Sequence, residues 1–154
     1  MSGIRTFEDL DCWKAGREVR RFVSILVKKF PKEEIFQLTA QIKNASRSIT
    51  HNIAEGYGRY HYLDNAKFCS NSRGSLFEVL DQLITAHDDE YISDEDLEKG
   101  RKLFDAALRP LNGYIKYLQS ASVKNSNENT VGEPPIEYSL NSPSDTSNSI
   151  TNNE

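Results

Sequence analysis

Residues 33–58, EEIFQLTAQIKNASRSITHNIAEGYG, decide the fold. Ile35, Leu38, Ile42, Ala45, Ile49 and Ile53 step by three or four, which places them on one face of an α-helix. Polar residues fill the intervening positions, so one side turns to a core and the other to water. Gly56 and Gly58 can take the positive φ that closes a helix, which predicts a turn near residue 60.

The same period recurs on both sides of this stretch. Upstream, residues 9–30 place Leu10, Trp13, Val19, Phe22, Val23, Leu26 and Phe30 at helical spacings, and Pro31 stops the run. Downstream, residues 62–90 carry Leu63, Ala66, Cys69, Leu76, Val79, Leu80, Leu83 and Ile84. Ser93 then caps a fourth helix, with Asp94, Glu95 and Asp96 in the turn where the helix dipole favours acids. Leu97, Gly100, Phe104, Ala107, Leu111, Ile115 and Leu118 carry it to about Ser120. Pro110 removes one backbone donor there and predicts a kink near residues 106–110. No stretch alternates with period two. Four amphipathic helices joined by short turns predict an all-α, up-down-up-down four-helix bundle about 35–40 Å long. Phe22, Ile25, Leu26 and Val27 spread around more than one stripe of the first helix. That surplus suits a wide core face or a second face buried in an oligomer.

Composition sets the domain boundary. In residues 121–154, Ser, Thr and Asn fill 17 of the 34 positions, Pro134-Pro135 interrupts the chain, and no apolar period survives. The expectation is a bundle over 1–120 and a disordered polar tail over 121–154. The tail holds one Lys against five acids and so carries the whole net charge of −4, while residues 1–120 balance at 18 bases against 18 acids. An acidic overall balance therefore does not exclude a polyanionic partner. No apolar run reaches membrane-spanning length, and MSGIRTFEDLDCW places acids where an export signal needs an apolar core. Cys12 and Cys69 stand far apart and outside any CxxC spacing, as small reduced core residues do. These features predict a cytoplasmic protein.

Catalytic and metal chemistry find no support in the spacings. A ferritin-like centre needs a Glu three residues before a His, but Ser48, Gly58 and Ile84 precede His51, His61 and His87. The three His and two Cys form no zinc pattern. Gly56-x-Gly58 is too short for a phosphate loop and follows a helix rather than a strand. The expectation is a non-enzymatic protein with no cofactor, no metal and no small-molecule substrate.

Charge is distributed more informatively. Residues 14–73 hold 12 bases against 5 acids, and residues 74–100 hold 9 acids against one base. Lys14, Arg17, Arg21 and Lys28 keep one face of the first helix, and Lys43, Arg47 and His51 stand at i, i+4 and i+8 on the second. Such stripes either neutralise a row of phosphates or form the solvated face that every surface helix needs. The acidic block could instead meet the basic one, within the bundle or across a subunit interface. Tyr57, Tyr60 and Tyr62 beside Arg59 and His61 form an aromatic-basic turn that either stacks on unpaired bases or covers the bundle end.

Several of these runs occur together in one known group of proteins. Phe7, Leu10 and Trp13-Lys14-Ala15 precede Phe30-Pro31-Lys32-Glu33-Glu34 and Leu38-Thr39-x-Gln41. Ser48-Ile49, Asn52-Ile53-Ala54-Glu55-Gly56-x-Gly58-Arg59 and Gly74-Ser75-Leu76-x-Glu78 follow. Across residues 7–120 the chain resembles the bacterial four-helix-bundle proteins encoded in intervening sequences of 23S ribosomal RNA genes. The resemblance implies a ring-like homopentamer. It also implies kinship with the accessory variability determinant of diversity-generating retroelements, which binds a reverse transcriptase and RNA. The chain departs from its relatives at Thr50, where a proline is common, at Arg47, where a small apolar residue is usual, and at Asn71-Ser72-Arg73.

An antiparallel hairpin turning near residue 60 pairs positions whose numbers sum to about 120. That sets Gln41 near Glu78, Ala45 near Gly74 or Ser75, and Glu55 near Asn65 or Lys67. Gly74 would then let the two helices approach closely, with Asn52, Glu55, Ser75 and Glu78 fixing their register. Lys14, Arg17, Arg21, Lys43, Arg47, His51 and Arg59 are the candidate nucleic-acid-binding residues. The expected function is an oligomeric scaffold that binds RNA or an RNA-bound protein such as a reverse transcriptase. The competing expectation is a protein–protein adaptor with no nucleic-acid contact.

Overall fold

The computed structural model describes residues 3–128, which form four α-helices and, among the described residues, no strand. Helix α1 spans Asp11–Leu26, α2 spans Leu38–Tyr57, α3 spans Tyr62–Asp88 and α4 spans Asp94–Glu128. Short 3-10 turns at Phe7–Asp9, Val27–Lys29 and Lys32–Glu34 lead into α1 and join it to α2. Helix α1 packs on α2 and α4, and α3 packs on the same two neighbours. Every contacting pair runs antiparallel, giving the up-down-up-down bundle that the apolar periods predict.

The apolar stripes converge on one core. Val23 and Leu26 of α1 are buried there with Ile42, Ile49 and Ile53 of α2. Leu76 and Leu83 of α3 and Leu111 and Leu118 of α4 complete its centre. Each such side chain contributes about 1.5–3 kcal/mol by leaving water. Cys12 and Cys69 are both free and buried, as the sequence predicts, and burial pushes their thiols up to about 11 and about 12. Both stay protonated at neutral pH and act as small apolar groups.

Hydrogen bonds across α2 and α3 set the expected register. Ser75 Oγ donates to Ser48 Oγ at 2.8 Å, and Ser72 Oγ donates to the Ile49 carbonyl at 2.7 Å. Asn52 Nδ2 donates to the Ser48 hydroxyl and carbonyl within α2, and Glu55 and Glu78 likewise pair along their own chain segments, so Ser72 and Ser75 make the bonds that cross the hairpin. The helix α4 start matches its prediction as well. Ser93 Oγ accepts from the Asp96 amide while the Asp96 carboxylate accepts from the Ser93 amide, a reciprocal cap. Lys29 Nζ lies 2.8 Å from the same carboxylate, and its bond holds the Asp96 acid below its usual range.

Five details differ from the sequence reading. Helix α1 ends at Leu26, because Phe30 precedes Pro31 and is forced into an extended conformation, with ψ 145. Helix α2 begins at Leu38, where Glu34 Oε2 accepts the Leu38 amide from a side chain four residues upstream. Ile35, expected in the apolar stripe, is consequently exposed. Helix α4 holds Pro110 inside it, as expected, but continues to Glu128, beyond the expected end at Ser120. Of the tail expected to be disordered, residues 121–128 are therefore helical, and 129–154 lie outside the described residues.

The glycines exchange roles. Gly58 ends α2 with φ −71, so neither it nor Gly56 closes the helix in the left-handed region. Gly56 instead permits close approach, since a Cβ there would sit 2.9 Å from Phe68 Cβ and 2.7 Å from Asn65 Oδ1. Gly74, to which that part was assigned, has open space where its Cβ would be. Gly74→Ala should therefore stabilise the bundle by about 0.5–1 kcal/mol through helix propensity alone. Urea unfolding checks it, and a lower midpoint would show that the Gly74 face is covered.

Candidate nucleic-acid interface

The α1/α2 hairpin brings basic residues from two helices around one cleft. Gly16 sets the spacing: a Cβ there would lie 2.8 Å from Ile49 Cγ2, so α1 and α2 lie close at that level. One turn further along α1, Arg20 Nη1 donates to Thr50 Oγ1 at 2.8 Å. The buried Thr50 hydroxyl in turn donates to the Arg47 carbonyl at 3.3 Å. Arg20 is thus fixed across the helix pair before any ligand arrives.

Arg20, Arg21, Lys43 and Arg47 line a cavity of about 190 Å³ with Ser24 and Ser46 between them. Ser46 is buried and satisfied by the Lys43 carbonyl at 2.9 Å. Arg21 has one weak acidic neighbour, Glu18 Oε1 at 3.4 Å, and both side chains are largely exposed. Among the described residues, Arg20, Lys43 and Arg47 have no carboxylate within ion-pairing distance. The acidic block consumes little of the basic charge. Its one ion pair to the basic segment joins Asp96 to Lys29, and Asp94 turns to His87 at 2.6 Å.

The candidate residues do not form one surface. Arg21, Lys43 and Arg47 meet at the cleft, joined by Arg20, which the stripe spacing had left out. Pairing α1 against α2, as was done for α2 against α3, would have found it, because Gly16 opposite Ile49 sets Arg20 beside Ser46 and Arg47. Lys14 and Arg17 continue the face along α1, both exposed, with the Arg17 guanidinium 5.8 Å from the Trp13 ring centroid. His51 follows Arg47 on α2, its Nε2 3.5 Å from Glu55 Oε2. Arg59 is drawn away from the stripe's charge, held 3.1 Å from Glu55 Oε1 and stacked 4.9 Å over Phe68.

The arrangement has the chemistry to accept an anion. Four cations around one small cavity repel one another, and a phosphate group relieves that repulsion while accepting guanidinium and ammonium donors. Clustered His, Cys, Asp and Glu suited to a metal ion do not occur among the described residues, and no helix there is long and apolar enough to cross a membrane.

No curated protein matches the chain. The family model of the 23S rRNA-intervening sequence proteins matches residues 8–113, which covers α1, α2, α3 and the first part of α4. The stretch includes every candidate basic residue, the bracing Ser48–Ser75 pair and the Gly56 contact, while Ile115 and Leu118 of the core lie just beyond it, and on that match the chain belongs to the 23S rRNA-intervening sequence protein family.

Proposed function

We propose that this protein is an oligomeric helical-bundle scaffold that holds RNA, or a protein carrying RNA, along the basic face of α1 and α2. The observation that carries the reading is the α1/α2 cleft, where, among the described residues, three cations lack acidic partners and a fourth has only a weak one. Its charge is sequence-independent in character, suited to phosphates rather than to base edges. The family is not one of known enzymes, and the chain acts in this reading by positioning its partner. A reverse transcriptase is the protein partner that the kinship with the accessory variability determinant suggests.

Apolar surface left uncovered on the bundle supports assembly. Ile25 is 66% exposed and Phe36 93% exposed. A groove of about 410 Å³ between α1 and α4 adds Phe22 and Leu103 to the surface beside Ile25. Burying such side chains in neighbouring copies would repeat the basic cleft around a ring and multiply its attraction for a polyanion. Light scattering should give a mass of about five protomers of 17.5 kDa each.

The test is RNA affinity as a function of salt. Four phosphate contacts at about 0.7 each give a slope of log Kobs on log salt near −3 per cleft engaged. Fluorescence anisotropy of a labelled single-stranded RNA measures it. A slope near zero, with binding retained, would replace this reading with an adaptor working through apolar contacts.

A further inference from the structure

At the far end of α2 from the first cleft, the turn into α3 builds a second, chemically different one. Tyr57 ends α2, Tyr62 begins α3, and Arg59, Tyr60 and His61 lie between them. Together with Tyr114 and Tyr117 of α4 they line a cavity of about 270 Å³. Tyr60, His61 and Tyr62 also border an adjoining cavity of about 420 Å³ that reaches Ser122 and Asn125.

Four of the five tyrosines separate into two groups. Tyr57 and Tyr114 are half-buried and pack against the core. Asn65, itself buried, donates to the Tyr114 hydroxyl at 3.0 Å, and burial pushes that phenol up to about 12. These two cover the bundle end, as tyrosines commonly do. Tyr60 and Tyr117 do not. Tyr60 is 99% exposed and Tyr117 60% exposed, so neither shields the core from water. The Tyr117 ring lies nearly parallel to Tyr114, 13° between planes with centroids 6.3 Å apart, and presents a flat aromatic face at the cavity.

We infer that this cavity receives an unpaired nucleobase of a single-stranded RNA whose phosphates lie in the α1/α2 cleft. The inference rests on the reading proposed above and adds the class of nucleic acid. Lys43, Arg47, His51 and Glu55 stand four residues apart along α2, and Arg59 follows in the turn beyond its end, so a spiral of charged residues leads from the basic cleft toward the aromatic one. From Arg47 to the end of α2 at Tyr57 that spiral rises about 15 Å. Glu55 interrupts it, but Arg59 lies 3.1 Å and His51 3.5 Å from its carboxylate. Asp64 lines the adjoining cavity, and Glu8, Asp9 and Asp11 stand at the same end, around Leu10 at the start of α1. Exposed Tyr rings with an Arg beside them accept any base by stacking, whereas a duplex keeps its bases out of reach.

A single-stranded oligoribonucleotide of about a dozen residues carrying 2-aminopurine tests this directly. Binding to the full-length protein should quench the 2-aminopurine fluorescence. A Tyr60→Ala/Tyr117→Ala variant should lose the quenching and bind the strand on the order of 10- to 100-fold more weakly. Its affinity for duplex RNA and its salt slope should stay at wild-type values, because no phosphate contact is removed. Tyr60→Ala alone, at a side chain with almost no protein contact, should show the same loss in part with unchanged helicity. Undiminished quenching in the double variant overturns the base site and leaves the basic-face reading standing. If wild type binds RNA in no salt-sensitive way, both fail. If the double variant keeps its RNA affinity but loses its oligomeric mass, the tyrosines form a protein contact and the inference is overturned.

Discussion

Reversing Lys43 and Arg47 to Glu should weaken binding of single-stranded RNA on the order of 100-fold at fixed salt. The estimate takes two charge-assisted phosphate contacts at about 1.5 kcal/mol each, the low end for such bonds, because the cleft is open to water. The salt slope should flatten by about 1.4, since each lost contact removes about 0.7 for a single strand. Neither residue has an acidic partner among the described residues, so no ion pair is broken and the bundle should melt within about 0.5 kcal/mol of wild type. Arg20 and Thr50 remain to hold the two helices together. The matching reversal of Glu95 and Glu98 to Lys, both exposed in the acidic block, should leave the slope unchanged. Dissociation of the Lys43/Arg47 variant into monomers would assign those residues to a subunit interface instead.

Gly56→Val should destabilise the bundle by about 1–3 kcal/mol, because the added carbons have no room between α2 and α3. The Cβ alone would stand 3.1 Å from the Asn65 carbonyl and 2.9 Å from Phe68 Cβ, and neither atom is the free end of a flexible side chain. Relief requires moving one helix against the other. That movement would loosen the Asn65–Tyr114 hydrogen bond and the Phe68 face on which Arg59 rests. Thermal unfolding followed by circular dichroism should show a midpoint lower by about 4–12 °C. An unchanged midpoint would mean that the α2/α3 spacing yields easily. The contrast with Gly74→Ala, expected to raise stability, places the tight point at Gly56.

The helices and their register were readable because both depend on local spacing. Apolar residues at three and four apart defined all four stripes, and a hairpin turning near residue 60 set Ala45 near Gly74 or Ser75, within one turn of the Ser75–Ser48 and Ser72–Ile49 contacts that form. The misreadings arose where a contact between elements decides the outcome. Gly74 lies at the predicted level of the hairpin but faces open space, and pairing sums locate a residue's height without its direction around the helix. Helix α2 was read from Glu33 because Ile35 fits the apolar period. The Glu34 carboxylate, itself hydrogen-bonded by Tyr91, starts the helix later at Leu38. Arg20 escaped notice because it lies off the i, i+4 stripe of α1, yet the α1/α2 pairing makes it part of the cleft. Arg59, read from the sequence as part of an aromatic-basic turn, also touches Glu55 and Phe68, contacts that depend on how α2 and α3 pack and that no local spacing shows.

Lysine acetylation with and without bound single-stranded RNA, read residue by residue by mass spectrometry, tests the basic-face account most directly. The account predicts that RNA protects Lys43, with Lys14 also slowed further along the face. Lys102 and Lys116, exposed on α4, should react at the same rate in both states. Protection of the α4 lysines with Lys43 left fully reactive would contradict it.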